Sequence, residues 1–528
     1  MRKMAKTIDK KQTRKIQAGF MHAFDEKNYF LMIDKIGLEK TWNAILMQLS
    51  ILGKTEFEKN VFVLYDSGLL YEMGLAHVNK VGKRLAGKYY TPKDVSSLMS
   101  DLFLEKYDGG PIADVACGCG NLIIELLSKL KKNSPLLFGK LVREKSIYLY
   151  DNDFLSLQIC LARIVASFGN DVGNGCKLFN DDFLSKKTIL PQGINVISNP
   201  PYHRITTFDR DWELTESFFE AKDLYIGFFE KIMRFCHFAT IITPQSFLVG
   251  NCYSRFRQEL GSTCKGEVYV FDNVPTSIFS GKKQGVFNSN TSNSVRAAIT
   301  SFVIDGQTGF RISHMLRFKS KERSKVISAS YLKDTLGVHV QNLSRPLKCF
   351  NGNLEAFFYG ILSDHYYPFS RLLHEKSYVS KDDSLSIRVS NSARYFIAAS
   401  KRKTERKGYF DLNFVNHSSF IIGYALLNSS YCYAWYRAMD GGILLPKSLL
   451  KAIPVPEKIV SDSELENIVN EMIEAENKFR RYKKNGGSEQ ETIKFPNYYR
   501  NRLNALLFPG TDFEVVHSNS ETDGKSHE

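Results

Sequence analysis

The chain has 528 residues, 43% of them hydrophobic, which is enough for two or three domains with their own cores. Lysine and arginine total 71 against 56 acidic residues, a formal +15, and that excess suits a polyphosphate partner through Coulomb attraction and counterion release. No apolar run approaches the roughly 18–20 residues that span a bilayer, the lysine-rich start lacks a signal peptide's apolar core, and the nine cysteines show no second pair at metal spacing beside Cys117-Gly118-Cys119. These features argue against a membrane or secreted disulfide protein and point to a reducing cytoplasm with no metal.

Residues 1–80 read as a helical segment, with Trp42, Ile45, Leu46, Leu49 and Leu52 at helical spacing. From 81 to 305 strands and helices alternate, which predicts a mostly parallel sheet. Pro111 to Cys117 reads as a strand, and Asn121 to Leu127 as an amphipathic helix. Gly118 and Gly120 lie in the turn between them, where glycine permits φ > 0 and close approach to a ligand. The turn lacks the Lys-Ser/Thr of a phosphate loop, and the carboxylate of Asp114 just before it suits a cationic ammonium. A structural glycine turn is the plain alternative.

Ser146 to Tyr150 reads as the next strand, ending in Asp151-Asn152-Asp153. An acid at the end of a second strand can accept both hydroxyls of a ribose. Cys176 to Phe179 reads as a third strand, followed by Asn180-Asp181-Asp182-Phe183, a carboxylate and a ring suited to the amino group and π face of adenine. Taken singly, each acid also fits a helix cap or solvated turn.

Ile194 to Ser198 reads as a buried strand that runs into Asn199-Pro200-Pro201-Tyr202. Two prolines lack N–H donors and fix φ, so the chain must leave the sheet in a stiff loop. That loop offers a carboxamide, backbone carbonyls and an aromatic face. These parts can hold a planar group bearing an exocyclic amine: two acceptors take its N–H bonds and the ring stacks on its plane.

Gly281 to Ser294 is rich in Lys, Gly, Ser and Asn without hydrophobic period, which predicts a mobile loop. Residues 306–330 read as a linker. From 331 to 510 the segments are shorter and rich in aromatics, including Phe357, Phe358, Phe369, Tyr395 and Tyr409. Lys401-Arg402-Lys403 opens a basic turn that fits a phosphate backbone or a solvated loop. A helix is expected from Ser461 to about Lys484, with Ser461 and Glu464 as a capping box. Residues 511–528 read as a disordered tail.

With these motifs in hand, the chain resembles the S-adenosylmethionine-dependent DNA adenine-N6 methyltransferases of bacterial restriction–modification systems, in the gamma arrangement. Asp114 to Gly120 is similar to that family's D-P-A-C-G-S-G, with Val115 for Pro and Cys119 for Ser. Asn199 to Tyr202 is similar to its D/N/S-P-P-Y/F, and Gly87 to Pro92 to the segment that closes over the cofactor. The resemblance implies an α/β fold: a Rossmann-like methyltransferase sheet, an N-terminal helical segment and a C-terminal α+β target-recognition domain. It implies S-adenosylmethionine held by Tyr90, Thr91, Pro92, Asp114, Ala116, Gly118, Gly120, Asp151, Asp182 and Phe183. It implies catalysis at Asn199, Pro200, Pro201 and Tyr202, with Tyr202 and Phe279 stacking on an extruded base. Double-stranded DNA is the expected partner, contacted by Lys282, Lys283, Lys401, Arg402 and Lys403, beside a separately encoded restriction endonuclease. Other planar amines, a protein glutamine or cytosine N4, remain open, as does a non-catalytic DNA-binding subunit.

Overall fold

The computed structural model describes residues 91–518, apart from 210, 214, 274, 280–294, 341–351, 375–384, 394, 440–443 and 486–487. The expected helical segment 1–80, Tyr90, Lys282 and Lys283 lie outside the described residues. The chain divides into two compact units, one taking in residues up to 245, 252–311 and 316–343, the other 246–251, 312–315 and 344–528.

The first unit is built on a nine-stranded sheet in the order β3-β2-β1-β4-β5-β7-β6-β8-β9. The strands are β1 Ile112–Asp114, β2 Ile147–Tyr150, β3 Cys176–Phe179, β4 Ile194–Ser198, β5 Cys236–Pro244, β6 Lys265–Phe271, β7 Ala297–Val303, β8 Gly309–Leu316 and β9 Leu336–Val340. β1 to β5 are parallel, and β7 runs antiparallel to both β5 and β6. Segment 306–330 is therefore not a linker. The apolar face of β8 buries Phe310, Ile312 and Leu316, and the sheet runs on through it.

Helices connect the strands: α1 Lys93–Leu104, α2 Asn121–Asn133, α3 Phe154–Phe168, α4 Glu216–Ala221, α5 Leu224–Phe235 and α6 Ser254–Thr263. α2 buries Leu122, Ile123, Leu126, Leu127 and Leu130, a stripe at helical period, and ends on Lys131 and Lys132 near its negative dipole end. β4 is buried at all five positions. Its one amide, Asn195, offsets burial by donating from Nδ2 to the Gly109 carbonyl at 2.9 Å. The sheet order reverses between β1 and β4. Such a reversal opens a crevice at the carboxyl ends of the strands, where α/β folds place ligands.

The second unit contains a three-stranded sheet in which Ser386–Ser390 lies between Ala399–Ser400 and Tyr409–Asn413. Two helices, α7 His417–Asn428 and α8 Ser430–Met439, are buried on nearly every side. They contribute Tyr424, Tyr431, Tyr433, Trp435 and Tyr436 to an interior that also holds Phe358 and Phe369. Much of the aromatic enrichment after residue 331 is thus core; Tyr366, Tyr395 and Tyr409 are exposed.

Two expectations for this unit are corrected. The helix expected over 461–484 is α9, Ser463–Ala475, capped by Asp462, whose side chain accepts from Leu465 N at 2.8 Å. Arg480–Asn485 and Ser488–Ile493 then pair as an antiparallel hairpin. The pairing places Arg480 opposite Ile493 and Asn485 opposite Ser488, a long-range register that the basic, helix-favouring composition of this stretch does not reveal. The polar segment from Thr511 does not begin a disordered tail. Phe513 and Val516 are buried, and His517 Nε2 sits 2.9 Å from Ser430 Oγ and stacks on Tyr433.

Among the described residues no helix is long and apolar enough to cross a membrane.

Candidate active site

The site grows from the carboxyl ends of β1, β2, β3 and β4. The chain leaves β1 at Asp114 and turns through Gly118 (φ +50°) and Gly120 (φ +86°), both left-handed. The turn is tied to β2: Cys117 N donates to the Tyr150 carbonyl at 3.0 Å and Gly118 N to Asp151 Oδ2 at 2.8 Å. Asp151 Oδ1 accepts from Asp153 N at 2.8 Å. The expected acid of the second strand therefore braces the glycine turn.

The two glycines differ. A Cβ at Gly120 would lie 2.6 Å from Cys160 Sγ on α3, so this glycine is required for packing. A Cβ at Gly118 would meet nothing within 4 Å, so this glycine borders open space. Gly120→Ala should destabilise the fold by about 1–3 kcal/mol, measured as a lower denaturant midpoint. Adding Cys160→Ala should restore only the packing part of that loss, since the left-handed backbone still disfavours alanine; a wild-type midpoint for Gly120→Ala alone would mean that neither the Cys160 contact nor the backbone conformation restricts this position.

Asp114 is buried. Its Oδ1 accepts from Ala116 N at 3.2 Å, and Oδ2 is buried without a hydrogen bond of ordinary geometry. Burial pushes its carboxyl up to about 7; the bond from Ala116 and the Ser198 hydroxyl oppose the rise, and Asp151 adds to it. A buried carboxylate with one oxygen, Oδ2, outside any hydrogen bond of ordinary geometry, beside open space at a glycine, fits a cationic group such as an ammonium. Among the described residues no group of three or more His, Cys, Asp or Glu could hold a metal ion.

Asp182 and Phe183 follow β3; Asp182 is exposed and Phe183 is buried. Asp182 Oδ1 accepts from Leu184 N at 3.0 Å, and Oδ2 accepts from Trp212 Nε1 at 2.7 Å. Phe183 is buried against Tyr150 and Phe228, with Lys231 Nζ 5.3 Å from its ring centroid. Burial lowers the Lys231 ammonium to about 8. The Phe183 ring is therefore packing, and the exposed chemistry at this strand end is the Asp182–Trp212 pair.

Asn199 leaves β4 half-buried, with its carboxamide held at both ends. Nδ2 donates to Thr91 Oγ1 at 2.9 Å, and Oδ1 accepts from the Tyr202 hydroxyl at 2.6 Å. The Ile242 carbonyl lies 3.1 Å from the same hydroxyl. Thr91 is buried just before Pro92, the N-cap of α1. It was expected to face the cofactor; its hydroxyl orients the Asn199 amide. Phe279 is buried and meets the Tyr202 ring at 6.0 Å and 62°, edge toward face. The two rings lie close, but in this conformation they pack on each other and do not form an open parallel platform. Asp223 stands at the N-cap position of α5 without a side-chain capping bond, and burial raises its carboxyl against the lowering effects of the Tyr253 hydroxyl, Arg204 and His203. Sequence reasoning missed Thr91 as a partner of Asn199 and missed Trp212 altogether. These pairings span 108 and 30 residues, and no local pattern marks them.

The family model described as N-6 DNA Methylase matches residues 66–249. The matched stretch includes Thr91, Asp114, the glycine turn, Asp151, Asp182 and Asn199 to Tyr202, so the resemblance read from those motifs holds over this stretch. The chain is 29% identical over 162 residues to the type I restriction enzyme MjaIX methylase subunit of Methanocaldococcus jannaschii, covering 30% of this chain and 25% of that protein. It is 25% identical over 168 residues to the type I restriction enzyme MpnII methylase subunit of Mycoplasma pneumoniae, covering 30% and 29%. The similarity thus spans less than a third of either relative's length. Among solved structures, the type ISP restriction–modification enzyme LlaBIII bound to DNA aligns with a TM-score of 0.47 at 12% identity, over 91% of this chain and 46% of that one. The EcoKI M protein aligns with a TM-score of 0.36 at 13% identity, over 61% and 71%. With five parallel strands in the order β3-β2-β1-β4-β5, the sheet of the first unit is Rossmann-like.

Proposed function

We propose that this chain is a site-specific DNA methyltransferase. It transfers a methyl group from S-adenosylmethionine to the N6 amine of adenine in double-stranded DNA, as the modification component of a restriction–modification system in the cytoplasm. A nuclease encoded separately is the expected partner. The observation that carries the reading is the Asn199 carboxamide, fixed by Thr91 and Tyr202 at the exit of β4 beside the crevice of the sheet reversal.

The amine of adenine is a weak nucleophile because its lone pair is delocalised into the ring. Two carbonyl acceptors, Asn199 Oδ1 and the Pro200 carbonyl, would take its two N–H bonds and favour a pyramidal nitrogen. The cofactor, when bound, would supply an electrophilic methyl whose bond to sulfur breaks as its bond to nitrogen forms, and the methylated nitrogen, then positively charged and acidic, would give its surplus proton to water. Acceleration then comes from positioning and aimed dipoles, without a strong base. Asn199 Oδ1 has two lone pairs, and Tyr202 has an alternative acceptor in Ile242, so the hydroxyl can yield Oδ1 to the substrate. Asp114 and the open side of Gly118 fit the cofactor's ammonium end, Asp151 its ribose, and Asp182 with Trp212 its adenine. The target base must leave the duplex to reach this loop, and Tyr202 and Phe279 would separate to receive it.

The acceptor is tested by offering labelled S-adenosylmethionine with DNA or with a glutamine-containing peptide, then identifying the methylated product. Label in N6-methyladenine supports the reading. Label in N4-methylcytosine or in the peptide would replace it with another planar amine.

In the second unit the basic turn is held by buried acids. Glu476 accepts from Lys401 N at 2.7 Å and from Arg402 N at 2.8 Å, and Glu491 accepts from Glu405 N at 2.9 Å. The Arg402 guanidinium donates to Asn477 Oδ1 at 2.7 Å and lies 3.7 Å from Glu491. Arg402 is therefore a brace, and the exposed Lys401 and Lys403 are the better phosphate contacts. Replacing both lysines with alanine should reduce the salt slope of DNA binding by about two. Arg402→Ala should act mainly through stability. A double-lysine variant with the wild-type slope would remove this turn from the DNA interface.

A further inference from the structure

Arg323 opens a single helical turn, Arg323–Val326, after β8. Its side chain is only 14% exposed, and all three guanidinium nitrogens are engaged. Nε and Nη2 reach the two oxygens of Asp94 at 2.6 and 3.0 Å. Nη2 also donates to the Ile278 carbonyl at 2.7 Å, and Nη1 to the Ser277 carbonyl at 3.2 Å.

What these partners adjoin gives the arrangement its meaning. Asp94 lies three residues after Thr91, whose hydroxyl holds the Asn199 amide. Ile278 directly precedes Phe279, which packs on Tyr202. One guanidinium therefore joins the two segments that touch the two side chains of the Asn199–Tyr202 loop. A second ion pair, Lys333 Nζ to Glu105 Oε2 at 2.9 Å, ties the chain after Arg323 to the far end of α1. An exposed pair held by one bond would contribute little. A bidentate fork that also satisfies two loop carbonyls fixes geometry, and a lysine cannot reproduce it.

We infer that Arg323 is a positioning residue: it locks the Ser277–Phe279 loop to the Thr91–Asp94 turn and so sets where Phe279 stands against Tyr202, the ring pair that parts to receive the planar substrate. This rests on the proposed function for the identity of that substrate. Arg323 does not touch the reacting atoms; it acts through Phe279 on one side and through Thr91 and Asn199 on the other.

The test uses the full chain with Arg323→Gln, Arg323→Lys, Asp94→Asn and the Asp94→Asn/Arg323→Gln double variant. Methyl transfer is measured on DNA from cells lacking the gene, with kcat and KM separated. Cofactor affinity and binding stoichiometry are measured by calorimetry, and hydrogen exchange is followed over residues 277–279. Arg323→Gln should lower kcat by about ten-fold or more and speed exchange at 277–279, with cofactor affinity and stoichiometry unchanged. Arg323→Lys should recover only part of kcat, and the double variant should be no worse than Arg323→Gln. An unchanged kcat with unchanged exchange would overturn the inference. So would a loss matched by a falling fraction of cofactor-binding protein, since that is ordinary misfolding. If the wild-type chain methylates no DNA, the proposed function fails. The exchange rates then still decide whether Arg323 holds the loop.

Discussion

Asn199→Ala should lower kcat for methyl transfer by about 10²–10³-fold, the loss seen when one aimed acceptor or donor is removed from a preorganised site. Its dissociation constant for S-adenosylmethionine should stay within about two-fold of wild type, because the Asn199 carboxamide is engaged by Thr91 and Tyr202 and is aimed at the substrate amine. The substitution leaves the β4 backbone intact and removes only the carboxamide, so folding is largely spared. Single-turnover rates and calorimetry on the same preparation separate the two effects. A large rise in the dissociation constant would move Asn199 into the cofactor site. Near-normal turnover would remove it from the mechanism.

The second large effect concerns Asp114. Burial holds its carboxyl at about 7, against an ordinary value of 3.8. The folded chain therefore keeps a proton that the unfolded chain has lost between those two values. Stability contributed by this group is greatest at the acid end of the window and falls as pH rises toward 7. A cationic ammonium beside Oδ2 would favour the ionised carboxylate and pull its pKa down. Cofactor binding near neutrality should then release a fraction of a proton. Affinity should rise with pH up to about 7, by as much as about ten-fold per unit, and level off above it. Calorimetry in buffers of different ionisation enthalpy reads the proton directly. Asp114→Asn should abolish the buffer dependence, weaken the cofactor, and flatten stability against pH between about 4 and 7. Binding enthalpies that do not depend on buffer, with affinity flat across that range, would place the ammonium elsewhere.

The parts of this site that sequence reading reached are those governed by local chemistry. A pair of prolines must end β4, and two glycines must make the turn after β1, so Asn199, Tyr202, Asp114, Gly118 and Gly120 fall at strand ends whatever the rest of the chain does. The hydrophobic period of α2 is equally local. What escaped depends on contacts between distant segments. The Thr91–Asn199 bond, the Trp212–Asp182 bond and the Arg323 fork join residues 108, 30 and 229 positions apart. β8 was mistaken for a linker because strand pairing, not its own pattern alone, places it in the sheet. Arg480 to Lys484 reads as the end of the expected helix because Lys and Arg favour helices, yet it pairs as a strand with Glu489–Ile493, a contact its composition does not announce. Phe279 is buried against the edge of Tyr202, which its loop sequence does not announce, since exposure of an aromatic ring in a loop depends on what packs over it.

The central claim is that this chain marks adenine in a particular DNA sequence, and modified-base sequencing of cellular DNA tests it most directly. Cells expressing the wild-type chain, together with any subunit it needs, should carry N6-methyladenine at one recurring motif on nearly every copy. Cells expressing Asn199→Ala at the same level should carry none there. A genome without any motif that depends on the wild-type chain, or the same motif methylated equally in Asn199→Ala cells, would contradict the account.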